Sequence, residues 1–346
     1  MKYFKLLLPL ILLFFVSCTT DNNEDVTGTG SVFVLNEGAF LHGNASITSY
    51  DPYTGLAEQN YFSRNNGRPL GDVAQSAALI DDQLFVVVNN SHKIEVVDPA
   101  TVEANHTINL DGELSPRYIE RVGENKAYIT SYSDSVAVLN LESLEVTGYI
   151  NIGSRTEGIA RVGQRVYVAN TFNRDMTLDA TTVSVIDSEN DEVIQDIELR
   201  SGPSVVKVDS RDRVWVVCNG PSDENWAYNE GAVYVLNGSD GTIIETIELH
   251  AGSGDLVFYE DEGVAYIASG GLRVIDMDDF TISETPLINR SFYSLGFDET
   301  DGPRIYAGLT PSNYEQAGTA LIYNVDGVEV DSFSTGIAPA YFHFTK

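Results

Sequence analysis

Cysteine is nearly absent from this chain of 346 residues, which has only Cys18 and Cys218. One lies beside an N-terminal leader and the other inside an apolar run, VWVVC, so no disulfide framework is available. Packing and sheet hydrogen bonds must hold the fold. Basic side chains are also scarce: 20 Lys and Arg stand against 51 Asp and Glu, a formal net charge of −31. A field of that sign repels phosphate backbones and anionic headgroups. It excludes nucleic acid and a polybasic membrane contact, and it suits a hydrated surface facing the medium. The five histidines, His42, His92, His106, His250 and His343, are scattered without metal-ligand spacing. No GxSxG elbow or EF-hand pattern occurs, and Cys218 in its apolar strand is expected to be inert. The acid pairs Asp81-Asp82 and Asp278-Asp279 fall where turns are expected. The sequence therefore predicts no catalytic residue, no metal site and no required cofactor. Long amphipathic helical patterns are missing as well, while 43% hydrophobic and 10% aromatic residues leave ample material for a core.

What is present is a repeat. Phe85–Pro99, FVVVNNSHKIEVVDP, reads as two short strands joined by the polar turn Asn89–His92, the second strand ending in an acid before a turn. The same ending recurs at Asp51, Asp98, Asn140, Asp187, Asn237, Asp276 and Asn324, at intervals of 47, 42, 47, 50, 39 and 48 residues. A period of about 45 residues carrying four strands is the mark of a β-propeller blade. The third unit shows it as RYIERV, KAYITSY, SVAVLNLES and EVTGYINIG, and the fourth and fifth repeat the order. The first unit, starting at SVFVLNEG, lacks an opening strand, and APAYFHFT (338–345) is one to spare. Joining them closes the ring and removes the edges an open array would expose. The expected fold is all-β, a single seven-bladed propeller over 31–346 with four-stranded blades, closed by the C-terminal strand. Six or eight blades also fit the spacing.

Residues 1–17 read as a signal peptide, with Lys2 and Lys5 before the 11-residue apolar run Leu6–Val16, too short to anchor across a bilayer. The run closes on Phe15-Val16-Ser17-Cys18, which resembles a lipobox and implies lipidation of Cys18. An ordinary secretory peptide with a chance cysteine is the alternative. Residues 18–30 are polar, acidic and glycine-containing, a flexible tether. An acidic stretch after a lipidated cysteine resembles the surface-export signal of Bacteroidetes lipoproteins. It implies an outer-membrane protein exposed at the cell surface and touching the membrane through its lipid alone.

Ligands of propellers meet one end of the central channel, where loops join the second strand to the third and lead into the next blade. The long loops here are 36–44, 65–72, 170–181, 219–231 and 309–318. Aromatic faces among amide donors suit a large, partly apolar ligand. The expected ligand-facing set is Asn36, Phe40, Arg68, Asn89, Arg117, Tyr132, Asn170, Phe172, Asn219, Trp226, Tyr228 and Tyr314. Two alternatives stay open: the aromatics merely pin long loops to the rim, and the arginines, Arg155 among them, pair with acids such as Asp72, Glu120 and Glu157.

The stretches LNEG (35–38), NGRPLGDVAQS (66–76), VVNNSHKIEVVDP (87–99) and SPRYI (115–119) resemble the YncE-like propeller lipoproteins of Bacteroidetes, and within them the BtuG type. The resemblance runs over essentially all of 31–346. It implies a non-enzymatic surface lipoprotein that binds a corrinoid, cobalamin, and delivers it to a TonB-dependent outer-membrane transporter. The alternatives from other classes are a protein-interaction platform, a carrier of another ligand, and a propeller enzyme such as a lactonase or a quinoprotein-like dehydrogenase.

Overall fold

Segments rich in Val, Ile and Tyr, bounded by Gly, Asn, Asp and Ser, suit a pleated, half-buried backbone. In the computed structural model they form strands throughout. The structure describes residues 31–345 apart from 111, 113, 178, 222–229, 250–252 and 301. Seven antiparallel sheets follow in chain order over 32–58, 74–109, 116–151, 154–198, 203–248, 253–283 and 294–334. Each sheet runs outward from the channel as a meander. In the sixth blade the fourth position is held by a short segment, bridged Ile275↔Ile282, with Asp276 N donating to Thr281 O at 2.9 Å and Ser283 N to Val274 O at 2.8 Å. The C-terminal strand Pro339–Phe344 pairs with Val32–Asn36 and completes the first blade from the inside, as the unmatched sequence ends predict. The residue 89 turn also forms as expected, a single 3-10 turn between Gln83–Val88 and Lys93–Val97, with His92 in the left-handed region at φ 50°.

The repeating acid or amide has a local cause. At all seven sites its side-chain oxygen accepts the backbone N–H two residues on, at 2.8–3.1 Å, closing the turn between third and fourth strands. The N–H groups of Thr101 and Ala100 hold the Asp98 carboxyl below its usual range.

A second repeat lies inside the sheets. Phe33, Phe85, Tyr128, Tyr167, Trp215, Tyr266 and Tyr306 hold equivalent places early in the second strand of each blade, and none is more than 3% exposed. Each packs onto the blade that follows. Phe33 joins Leu70, Ala77 and Leu84, and Phe85 joins Ile119 and Ala127. Trp215 meets Phe258 and Phe280, Tyr266 meets Phe297, and Tyr306 meets Phe342 and Phe344. Three of the wedges also bond through a polar tip. Tyr128 donates to Asp191, Tyr167 to Gly238 O at 3.0 Å and Trp215 Nε1 to Asp209 at 2.8 Å. The inter-blade core is thus a ring of aromatic wedges, and closure brings the last onto the first. The sequence pattern shows no long helix, and a six-residue one, Tyr61–Asn66, burying Phe62, bridges the first two blades.

Candidate binding site at the channel mouth

The innermost strands of the seven blades, Pro339–Phe344, Ala74–Ile80, Pro116–Gly123, Ser154–Val162, Pro203–Val208, Ser253–Tyr259 and Ser294–Asp298, surround a central cavity of about 710 Å³. All start at the same end of the ring, so the residues that open each strand gather at one mouth. Arg117 and Glu157 come from the third and fourth blades and form a two-pronged pair, Nε–Oε2 2.9 Å and Nη2–Oε1 2.8 Å. Tyr132 donates its hydroxyl to the same carboxylate and lays its ring under the Arg117 guanidinium, 4.5 Å from centroid to Cζ. Burial opposes the charge of Arg117, but the Glu157 carboxylate outweighs it and holds the guanidinium proton above its ordinary range. Across the mouth, Tyr293 donates to Glu37 Oε2 at 2.8 Å. Burial raises the Glu37 carboxyl, partly offset by Arg117 and Tyr293, and burial beside Glu37 pushes the Tyr293 phenol well up.

Aromatic rings stand around this polar network. Phe172 meets Tyr132 edge-on at 6.3 Å, and Tyr314 meets Tyr293 at 5.9 Å. Tyr314 is 47% exposed, and Phe40, in the loop after Glu37, is 63% exposed with Leu41 beside it. Arg117, Tyr132, Phe172 and Tyr314 of the expected set therefore converge on the mouth, with Phe40 on its loop. The three amides Asn36, Asn89 and Asn170 do not line the cavity; they are buried, with their Nδ2 groups engaged. Asn36 Nδ2 bonds Thr48 Oγ1 at 3.1 Å, Asn89 Nδ2 reaches Pro116 O at 2.9 Å, and Asn170 Nδ2 bonds Thr182 and Ser184 at 2.8 and 2.9 Å. They tie strands and blades together. Asn219 is half-buried, its N–H donating to Gly202 O at 2.9 Å. Arg68 lies apart from the mouth. It is fork-bonded to Glu95 at 2.7 Å twice and sits over Phe62, so it clamps the second blade. Its partner is Glu95 rather than Asp72. Arg155 donates to the carbonyls of Tyr132 and Arg174. Trp226 and Tyr228, in 222–229, and Cys18 lie outside the described residues.

Glu37, Tyr293, Gln75 and Tyr341 line the channel without having been singled out in the sequence. Gln75 and Tyr293 lie at or beside the start of an innermost strand, Tyr341 lies within one, and Glu37 follows a second strand and bonds Ala338 O beside the closing strand, places visible only once the seven repeats are aligned from that strand. Among the described residues no group of three or more His, Cys, Asp or Glu could hold a metal ion. Burial pushes the Cys218 thiol up to about 12, which keeps it protonated at neutral pH.

Seven blades around a channel with a polar, aromatic-rimmed mouth define a seven-bladed β-propeller. The chain belongs to the family described as a domain of unknown function, DUF5074, which matches residues 30–220. No match was found among curated proteins. Among solved structures the chain is similar to Kuenenia stuttgartiensis hydrazine synthase, with a TM-score of 0.63 and 16% identity over 75% of this chain and 85% of that one. At that identity the likeness is one of fold.

Proposed function

We propose that this protein is a non-enzymatic binding module that captures a bulky amphipathic ligand over the channel mouth. The corrinoid cobalamin is the ligand its resemblance to propeller lipoproteins implies. In this reading a lipid on Cys18 holds the ring at the outer surface, and the ligand passes to a TonB-dependent transporter. The observation that supports capture is the pairing of apolar and polar groups at the rim. Phe40, Phe172 and Tyr314 offer faces to a flat apolar body, and Glu37, Tyr132 and Arg117 offer donors and acceptors to polar side groups. The charged groups are already paired across blades, so the mouth is preorganised rather than assembled on binding.

Calorimetric titration of residues 31–346 with cyanocobalamin tests it. One-to-one saturable binding is expected, weakened about tenfold, or about 1.4 kcal/mol, by Phe172→Ala or Tyr314→Ala and unchanged by Arg68→Lys, which lies off the mouth. Absence of both heat and thermal stabilisation at high ligand concentration removes cobalamin and moves the search to protein partners.

A further inference from the structure

Below the mouth the channel holds one acid that, among the described residues, has neither an ion pair nor a hydrogen bond. Of its charged lining, Arg117 is taken by Glu157 and Lys207 Nζ by Asp255 at 2.9 Å. Asp255 also accepts the backbone N–H of Leu295 at 3.1 Å. Arg161 turns its Nε to Gly163 O at 2.5 Å, and Glu37 receives the Tyr293 hydroxyl. Glu120 remains. Among the described residues its side chain has no hydrogen-bond partner, yet it lines the cavity. It stands two residues before Val122 at the end of its inner strand. Ala78 and Ala160 hold the same place on their strands, paired with Phe85 and Tyr167 as Glu120 is with Tyr128, and on the fifth blade Lys207 holds it, paired with Trp215; all three line the cavity, with Phe258 on the sixth blade. One carboxylate without a hydrogen-bond partner among the described residues thus faces two alanines, an aromatic ring and a lysine already held by Asp255. Burial raises its carboxyl to about 7, with the Arg161 guanidinium drawing it back. The channel phenols Tyr118 and Tyr341 are pushed up by burial, Tyr341 to about 12, and stay protonated, while Glu37 is raised at the mouth above.

We propose that this lower chamber is a second binding site, for a small organic cation such as an amidinium or ammonium, with Glu120 receiving the charge and Ala78, Ala160 and Phe258 covering the body. A cation there supplies the hydrogen bonds and counter-charge that Glu120 lacks, and its arrival displaces one proton from the carboxyl to solvent. The cavity, about 710 Å³ in all, has room for a small planar or linear molecule. This site goes beyond ligand capture at the rim and does not depend on that ligand being a corrinoid.

The test titrates residues 31–346 with benzamidinium and with benzamide, a neutral molecule of nearly the same shape, at physiological salt to screen the acidic exterior. Saturable binding of benzamidinium alone is expected, with affinity rising several-fold from about pH 6 to about pH 8 as Glu120 gives up its proton. Glu120→Gln removes the charge at constant volume. It should lower affinity about tenfold and flatten the pH profile, with an unchanged melting curve in the absence of ligand. Equal binding of the two probes, a flat wild-type profile, or binding indifferent to Glu120→Gln overturns the proposal. The wild-type profile decides even if the variant fails to fold. Cyanocobalamin and benzamidinium report on different parts of the channel, so the two readings fail separately.

Discussion

Glu95 has no exposed side-chain surface and yet remains charged. Arg68 binds both its oxygens at 2.7 Å, Lys93 reaches Oε1 at 2.5 Å and Thr107 donates to Oε2 at 2.7 Å. Burial pushes its carboxyl up, but these bonds prevail and hold it below the ordinary range. A depressed carboxyl contributes stability that is complete above its unfolded pKa and lost as pH falls through the folded value. The expected outcome is a protein that loses stability below about pH 4, and a Glu95→Gln variant about 2–3 kcal/mol weaker at neutral pH with a smaller acid-induced loss. Urea unfolding across pH measures both. Equal acid sensitivity in the variant would count against the role given to this cluster. The residue scale also shows the limit of reading charges from sequence. Arg68 and Arg117 look alike in Gly-Arg-Pro and Pro-Arg-Tyr, both beside blade starts. One clamps a blade from outside and the other forms the channel mouth, because side-chain direction depends on the path of a connection that local pattern does not encode.

At the scale of the element, the innermost strands must approach closely to enclose a narrow channel. Gly158 shows how near. A Cβ there would lie 2.5 Å from Ser204 O and 2.6 Å from Val206 N on the next blade. Backbone cannot give way as a flexible side chain can, so Gly158→Ala forces the fourth and fifth blades apart. A loss of about 1–3 kcal/mol is expected, with the midpoint of chemical unfolding as the readout. A variant as stable as the parent would show that the blades slide freely there. The turn elements were legible beforehand. The acid or amide closing each third strand is a local device, made by one side chain and a backbone two residues away, so it repeats in the sequence as faithfully as in space. The aromatic wedges were not singled out, although KAY, RVY, RVW, VAY and RIY print them in register. Aromatics favour any strand, and their shared role appears only when each is seen to cross to the following blade.

At the scale of the molecule, closure is a single event joining the two ends of the described chain. Thr345 N bonds Ser31 O at 3.0 Å, Ser31 N bonds Thr345 Oγ1 at 2.6 Å, and Tyr50 reaches across the same seam to Asp331 at 2.5 Å while stacking on Phe333 at 4.0 Å. Deleting 339–346 leaves the first blade without its inner strand, exposes the edge of Val32–Asn36 and removes Phe342 and Phe344 from Tyr306. Aggregation or loss of a single cooperative melt is expected. A monomeric truncation that melts in one step near the parent temperature would deny closure that role.

The sequence by itself determined the class and the closing strand and favoured seven blades, a number the seven sheets then fixed. These follow from strand period, turn residues and unmatched ends, all of which act between neighbours along the chain or repeat at a fixed interval. The tertiary structure decided which residues share the mouth. Glu37, Arg117, Glu157 and Tyr293 are distant in sequence and meet because seven inner strands start at one end of a closed ring. It also decided that Asn36, Asn89 and Asn170 serve the scaffold and that Glu120 lines the channel with no hydrogen-bond partner among the described residues. Strand period is a short-range property, whereas convergence on an axis exists only after the ring has closed.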